Sequence, residues 1–320
     1  MRAYAITIVL TSFLGCVDKQ DVFVVSNDSG SVVVSVDREN HVKTLSVLDY
    51  GKIIRFALGP DEVIAFVTQE MVHPIVIQKL HLSQGGTLKT FSIFPSRRSF
   101  RVSRSWNRLA FVEQNELGNL ALVTYDLHQN LRTAISIADL DGEPSEVDWR
   151  TNENLLVNMT ENGSVDRCYD VNIQTQKKQF LFQDSTIKDL IFDANRDQIF
   201  FASSNSLKRF DVRSGEMLAI ALNAAFFDLF DYNSDDNLLL LREALANKQR
   251  LCLIDISNQS KLCIDSTEFS YVQAHFSRRD NKSISVVTSV NDTSKLSMFE
   301  VGGNKKEIVR SMGSIVFSRP

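Results

Sequence analysis

The residues of this chain best suited to chemistry are arginines. Arg104, Arg150, Arg278, Arg279 and Arg319 each fall in a polar turn directly after a short apolar run, and Arg97, Arg98, Arg101 and Arg108 crowd around the first of them. A guanidinium pairs with carboxylate or phosphate through two parallel hydrogen bonds. Such turns gathered at one mouth of a folded domain would offer a positive ring to an anionic peptide, ligand or protein. The simpler alternative is an arginine with a packed stem and a solvated head. The cysteines supply a second candidate. Cys252 and Cys263 flank the turn Asp255-Ile-Ser-Asn-Gln-Ser-Lys261. A four-residue loop at Ser257–Ser260 would leave them one diagonal apart. A two-residue loop at Ser257-Asn258 would set them directly opposite, within reach of a disulfide. Two free buried thiols are the alternative. Cys168 has no obvious partner and is expected to be buried.

Other constellations are weaker. No Gly-x-Ser-x-Gly elbow occurs, so nucleophilic hydrolysis has no seat, and no catalytic residue is assigned. His41, His73, His81, His128 and His275 show no zinc spacing. The acidic runs Asp139-Leu-Asp-Gly-Glu143 and Asp228…Asp231…Asp235-Asp236 depart from the calcium-loop pattern and read as turn formers. Neither a metal nor another cofactor is expected. Ser26-Asn-Asp-Ser-Gly30 matches a short Asp-box but lacks its aromatic, and a hairpin turn accounts for it.

The elements that must carry these residues are strands. Helical periodicity is scarce, and the best helical stretch, Arg242–Gln249, reads as a hairpin loop. Short runs rich in Val, Ile, Phe and Leu recur between Asn, Asp, Ser and Gly, which is strand and turn chemistry. One unit of strand, polar turn and strand appears at Lys52–Phe66, Ser99–Phe111, Glu146–Val157, Lys188–Phe201, Phe227–Leu240 and Val272–Val286. Its equivalent apolar positions, Phe66, Phe111, Val157, Phe201, Leu240 and Val286, repeat about every 40–45 residues, the period of a four-stranded propeller blade. A second hairpin follows each unit, as in Leu120–Leu127 with Thr133–Ile137, Cys168–Ile173 with Lys178–Phe182, Leu207–Val212 with Met217–Ala221 and Arg250–Ile256 with Lys261–Ile264. Gly313–Pro320 supplies a first strand with nothing after it, and Asp21–Val25 a second strand with nothing before it. Together with Ser31–Val36 and Lys43–Leu48 they complete one blade. The expected fold is all-β, a single seven-bladed β-propeller over residues 16–320, with six blades as the alternative count. The first strand of each blade is the innermost, which is what would place the arginine turns around one mouth of the channel.

Ser103-Arg-Ser-Trp-Asn-Arg-Leu-Ala-Phe-Val112 and Phe276-Ser-Arg-Arg-Asp-Asn-Lys282 resemble the Ser-Pro-Asp-Gly-Lys, then apolar-Ala-Phe-Val, motif of TolB-like, WD-repeat-like propellers. Leu58-Gly-Pro-Asp-Glu62 is a shifted echo, and Phe317-Ser-Arg319 begins another copy. The resemblance spans residues 21–320. It implies the propeller fold and a role in protein interaction at the cell envelope, and its motif residues are turn and core residues.

The N-terminus adds an address. Arg2 precedes an uncharged stretch, Ala3–Gly15, of the length of a signal-peptide core and too short to span a membrane comfortably. It ends at Phe13-Leu-Gly-Cys16, which resembles a bacterial lipoprotein signal, with Phe13 where that family usually has Leu. The resemblance implies removal of residues 1–15 and lipidation of Cys16; an ordinary cleaved signal or short anchor, or a buried first strand, is the alternative. Val17, where Asp would favour inner-membrane retention, points to the outer membrane. The net charge of −4 and pI near 5.8 exclude a whole-surface electrostatic case for nucleic acid. The expectation is a monomeric, periplasm-facing lipoprotein, held to the membrane by its anchor alone, that binds an envelope protein or an anionic peptide or ligand. An envelope enzyme of lactonase, lyase or glycosidase type at the channel mouth, or a ligand-sensing propeller, is the alternative.

Overall fold

The computed structural model describes residues 21–317 except 28–29, 37–40, 49–52, 60–62, 73–74, 85–86, 95–99, 115–118, 138, 162–164, 204–205, 221–225, 246–247, 268–269, 278–282, 291–292, 301–304 and 313. Among the described residues there are 28 strands and no helix. Five of the sheets are four-stranded and antiparallel, and the strands from Ile53 to Ile135 form one eight-stranded sheet, a total consistent with seven four-stranded blades. Two compact units divide the chain, one of Met1–Thr90 with Phe269–Arg319 and the other of Phe91–Glu268.

The first unit holds the closing blade. β1 (Asp21–Asn27), β2 (Gly30–Val36) and β3 (Val42–Leu48) pair in order, and β28 (Ser314–Phe317) adds to the free edge of β1. The register Phe23↔Phe317, Val24↔Val316, Val25↔Ile315 joins the two ends of the chain in the expected way. The same unit contains β4 (Ile53–Leu58) to β6 (Ile75–Gln84) and the start of β7 (Thr87–Ile93), and β24 (Ser270–Phe276) through β27 (Lys305–Met312). Buried Asp21 ties two of these sheets, accepting from Ser277 Oγ at 3.0 Å and Ser285 Oγ at 3.1 Å.

The second unit repeats the blade four times: β8 (Phe100–Val102) to β11 (Leu131–Ile135), β12 (Glu143–Trp149) to β15 (Lys178–Asp184), β16 (Lys188–Asp193) to β19 (Met217–Ile220), and β20 (Phe226–Asn233) to β23 (Ser260–Thr267). Second strands such as β13 (Asn154–Glu161) and β17 (Gln198–Ser203) are buried on both faces, hence their unbroken apolar runs. Outermost strands are largely exposed, and their sequences carry polar residues accordingly. The six repeat-matched residues Phe66, Phe111, Val157, Phe201, Leu240 and Val286 are all at most 1% exposed. One expectation holds only in part. The Arg242–Gln249 stretch does lie in a hairpin, but most of it is strand rather than loop: β21 (Leu238–Leu245) and β22 (Lys248–Asp255) extend into it, with Glu243 paired to Arg250 and Ala244 to Gln249. Charged residues there mark buried ion pairs rather than a solvated turn.

Carboxylates link consecutive blades of this unit. Ile187 N–H donates to Asp166 Oδ2 at 2.6 Å and Leu229 N–H to Asp189 Oδ2 at 3.3 Å. Asp184, at the end of β15, accepts from Ser203 Oγ and Lys208 Nζ of the next blade. Burial works against its charged form, but Lys208, Ser203 and the Ser185 N–H more than offset that and hold the carboxyl below its ordinary range. A depressed folded-state value stabilises above the unfolded value of about 4 and is lost as pH falls below it. Asp184→Asn is therefore expected to lower the urea midpoint at pH 7, with the gap to wild type closing between about pH 5 and pH 2. A gap that does not change with pH would assign the effect to packing.

Candidate functional site

The arginine turns were the first candidates. The turn between β8 and β9 (Arg108–Gln114) is tied at both ends: Ser103 N–H donates to Arg108 O at 2.8 Å and Trp106 N–H to Ser103 O at 2.9 Å. Ser103 Oγ and Ser105 Oγ both donate to Asn107 Oδ1, at 2.8 and 2.7 Å. Trp106 has φ of 54° at the place where the resembled motif has Gly, so this turn keeps its shape at a steric cost of about 1–2 kcal/mol. The turn presents Arg104, which is exposed and has no partner among the described residues.

Arg150 is engaged differently. Its Nε and Nη2 donate to the two oxygens of Asp197, each at 3.0 Å, and Nη1 donates to Asp170. Burial opposes its charge, but Asp197 and Asp170 prevail and raise its pKa. Arg150 is therefore a clasp between consecutive blades, its donors already taken, and this removes it from the anion-docking set. Neighbouring turns repeat the device. Arg108 Nη1 donates to Asn152 O at 2.9 Å, and Arg196 Nη1 to Tyr232 Oη at 2.9 Å and Ser234 O at 3.1 Å. The clasped residues lie 44, 47 and 38 positions apart, about one repeat period. The spacing matches the repeat, but residue type does not mark which polar group one period on is the partner. Arg278, Arg279 and Arg319 lie outside the described residues, as does Cys16.

A second cluster carries no local sequence signal. Arg101 of β8, only 8% exposed, places Nε 3.4 Å from Asp148 Oδ1 and Nη2 4.0 Å from Glu146 Oε1, both on β12. Trp149 Nε1 donates to Arg101 O at 3.2 Å. These are first strands of consecutive blades, so alternation along β12 puts Glu146 and Asp148 on one face toward β8. The arginine neutralises the carboxylates, an arrangement suited to holding strands together and poor for proton transfer. Cys168 lies behind, fully buried, its thiol pushed up by burial first and then by Asp170 and Glu146.

Cys252 and Cys263 stand directly opposite on β22 and β23, with Cα atoms 3.9 Å apart and their sulfurs joined. The register pairs Asp255 with Ser260, which is that of the two-residue alternative, although the strands stop one pair short of the loop. Asp255 closes the turn by accepting from Ser257 N–H at 2.8 Å and Asn258 Nδ2 at 2.8 Å. A bulge between Leu251 and Cys252 shifts the ladder beyond the cysteines.

Several of the remaining candidates have partners among the described residues, and His73 lies outside those residues. His81 contacts Thr68 Oγ1 at 2.9 Å and Thr90 Oγ1 at 3.1 Å and stacks on Phe66. His275 bonds through Nδ1 to Phe276 O at 2.8 Å. Asp139 is paired with Lys178, Asp141 with Arg167, and Asp228 with Arg242. Ser26 Oγ meets Ser31 Oγ at 2.7 Å across the β1–β2 hairpin.

No family model and no curated protein matches the sequence. Solved structures do. TolB from Acinetobacter baumannii superposes with a TM-score of 0.58 at 16% identity, over 92% of this chain and 81% of that one. The periplasmic gluconolactonase PpgL of Pseudomonas aeruginosa gives 0.63 at 10% identity, over 94% and 99%. A chain of a nidogen/laminin complex gives 0.50 at 12% identity, over 77% and 92%. Likeness at such identities speaks for fold, and it agrees with the antiparallel four-stranded sets and the shared terminal blade: the chain folds as a TolB-like β-propeller.

Proposed function

We propose that this protein is a non-enzymatic, periplasm-facing lipoprotein, anchored through Cys16, that binds an envelope protein through a propeller face. The observation that carries this reading is Arg104. It is exposed, without a described partner, on a turn whose every other polar residue is hydrogen-bonded, so a guanidinium stands on a preorganised platform. Preorganisation lowers the entropic cost of docking. Propellers of the same fold include TolB, a chain of a nidogen/laminin complex and a periplasmic gluconolactonase, which supports an envelope setting and a binding role. In purified envelope extract, Arg104→Glu is expected to lose partners that cross-link to the wild type, while Lys at the same position retains part of them. Identical cross-linked sets would overturn the docking role of this turn. Radioactive palmitate should label the wild type and not Cys16→Ser.

A hydrolytic or lyase reading would need Glu146 or Asp148, two carboxylates on β12, to be released from Arg101, which lies against both. Turnover of a sugar lactone or oligosaccharide that is lost in Glu146→Gln would favour it over binding.

A further inference from the structure

We propose that Cys252, Cys263 and Glu243, once the cysteine pair is reduced, form a binding site for a thiophilic divalent cation, Zn²⁺. Ligand atoms of these three residues lie within 4.8 Å of one another. Glu243 is the anomaly that leads to the site. Along β21, Leu239 and Leu241 are fully buried in the apolar cluster that also contains Cys252 and Ile254. The next residue on the same face is Glu243, a carboxylate only 1% exposed. Burying a carboxylate is costly unless it is paired. Its two oxygens are shared out: Oε1 accepts from Lys261 Nζ at 2.8 Å, and Oε2 faces Cys252 Sγ at 3.8 Å. The oxygen on the sulfur side is thus left for a ligand while Lys261 holds the other.

The chemistry of this set is that of zinc. Zn²⁺ takes thiolate at about 2.3 Å and carboxylate oxygen at about 2.0–2.2 Å in a tetrahedron, and neighbouring ligand atoms in such a tetrahedron stand about as far apart as Cys252 Sγ and Glu243 Oε2 do here. Two thiolates and one carboxylate around Zn²⁺ leave one negative charge, which the Lys261 ammonium offsets. Lys261 is a positioning residue: it orients the carboxylate from outside, as partners of metal ligands do.

Opening the site is a balanced exchange with an external dithiol. A thiolate of the reductant attacks the sulfur of Cys263, which lies on the outermost strand of its sheet. The S–S bond breaks and its electron pair leaves on Cys252 Sγ, which takes a proton. The reductant's second thiol then displaces Cys263, so the reductant ends as a disulfide and the protein as two thiols. Zn²⁺ replaces the two thiol protons, which pass to solvent. The metal site and the disulfide are mutually exclusive states of the same pair.

The test is Co²⁺ titration of the full chain carrying Cys16→Ser and Cys168→Ser, so that only this pair can supply thiolate. After reduction with a phosphine, one Co²⁺ per chain is expected, with a thiolate-to-cobalt absorption and tetrahedral d–d bands that Zn²⁺ abolishes. The oxidised protein should show neither. Glu243→Gln should weaken binding at least tenfold and Lys261→Met about tenfold. Absence of the absorption in the reduced protein, or its persistence when both Cys252 and Cys263 are Ser, would overturn the proposal. Independently of any variant, Zn²⁺ should slow alkylation of Cys263 in the reduced wild-type chain by at least tenfold; an unchanged rate would overturn it equally.

Discussion

A chain ending at Gly313, without β28, is expected to lose cooperative unfolding altogether. β28 contributes only Ser314–Phe317, but its side chains alternate between two cores. Val316, 4% exposed, packs with Val24, Ile53, Phe56 and Phe66, and Ile315, 1% exposed, with Phe23, Val34, Val287 and Leu296. Removing two such side chains costs about 2–5 kcal/mol each, cavity included, and the backbone bonds to β1 add about 1 kcal/mol apiece. The sum is of the order of the whole stability of an ordinary domain, about 5–15 kcal/mol. β1 would also become an open edge beside fully buried Phe23 and Val24, an invitation to aggregate. Near-UV circular dichroism should show no sigmoidal melt, and a synthetic 314–320 peptide added in excess should restore part of it. A truncated chain that melts within a few degrees of wild type would show that the closing blade does not depend on its fourth strand.

The second large effect is expected at Arg150. Arg150→Met keeps the stem and removes the fork that joins Asp170 and Asp197. Asp170 has a side chain only 4% exposed and would retain Asn154 Nδ2 at 2.9 Å as its described partner. Breaking a buried pair from one side typically costs about 3–5 kcal/mol. With the Arg150 side chain 21% exposed, about 3 kcal/mol is the expected loss in urea unfolding. Lys should recover a minor part, because a point charge cannot bond both oxygens of Asp197. Asp197→Asn should cost less than Arg150→Met, since Arg150 keeps Asp170. The contrast with Arg104 is diagnostic: Arg104→Glu is expected to alter partner capture and leave the urea midpoint within about 0.5 kcal/mol of wild type. If Arg150→Met is as stable as wild type, Arg150 is not a clasp and returns to the set of docking residues.

Much of the architecture was legible from pattern alone. The repeat of Phe66, Phe111, Val157, Phe201, Leu240 and Val286 reports strands buried on both faces, and burial demands apolar side chains wherever it occurs. The pairing of Asp21–Asn27 with Ser314–Phe317 agrees with the expectation that each strand's backbone donors and acceptors find a partner. The stretch Arg242–Gln249 was legible only in part, because charge there signals internal pairs, Arg242 with Asp228 and Glu243 with Lys261, and side-chain charge carries no mark of its partner.

The site chemistry divides the same way. Residue types and local spacing by themselves determined that arginines sit in the turns and that Cys252 and Cys263 flank one hairpin. Only the tertiary structure decided that Arg150 faces Asp197 of the next blade, that Arg101 lies against Glu146 and Asp148, and that Glu243 points at the cysteines. The physical reason is range. Turn and strand preferences are set by neighbours within a few residues, whereas ion-pair partners are chosen by which strands the fold lays side by side, and here those strands are a whole blade apart in the chain.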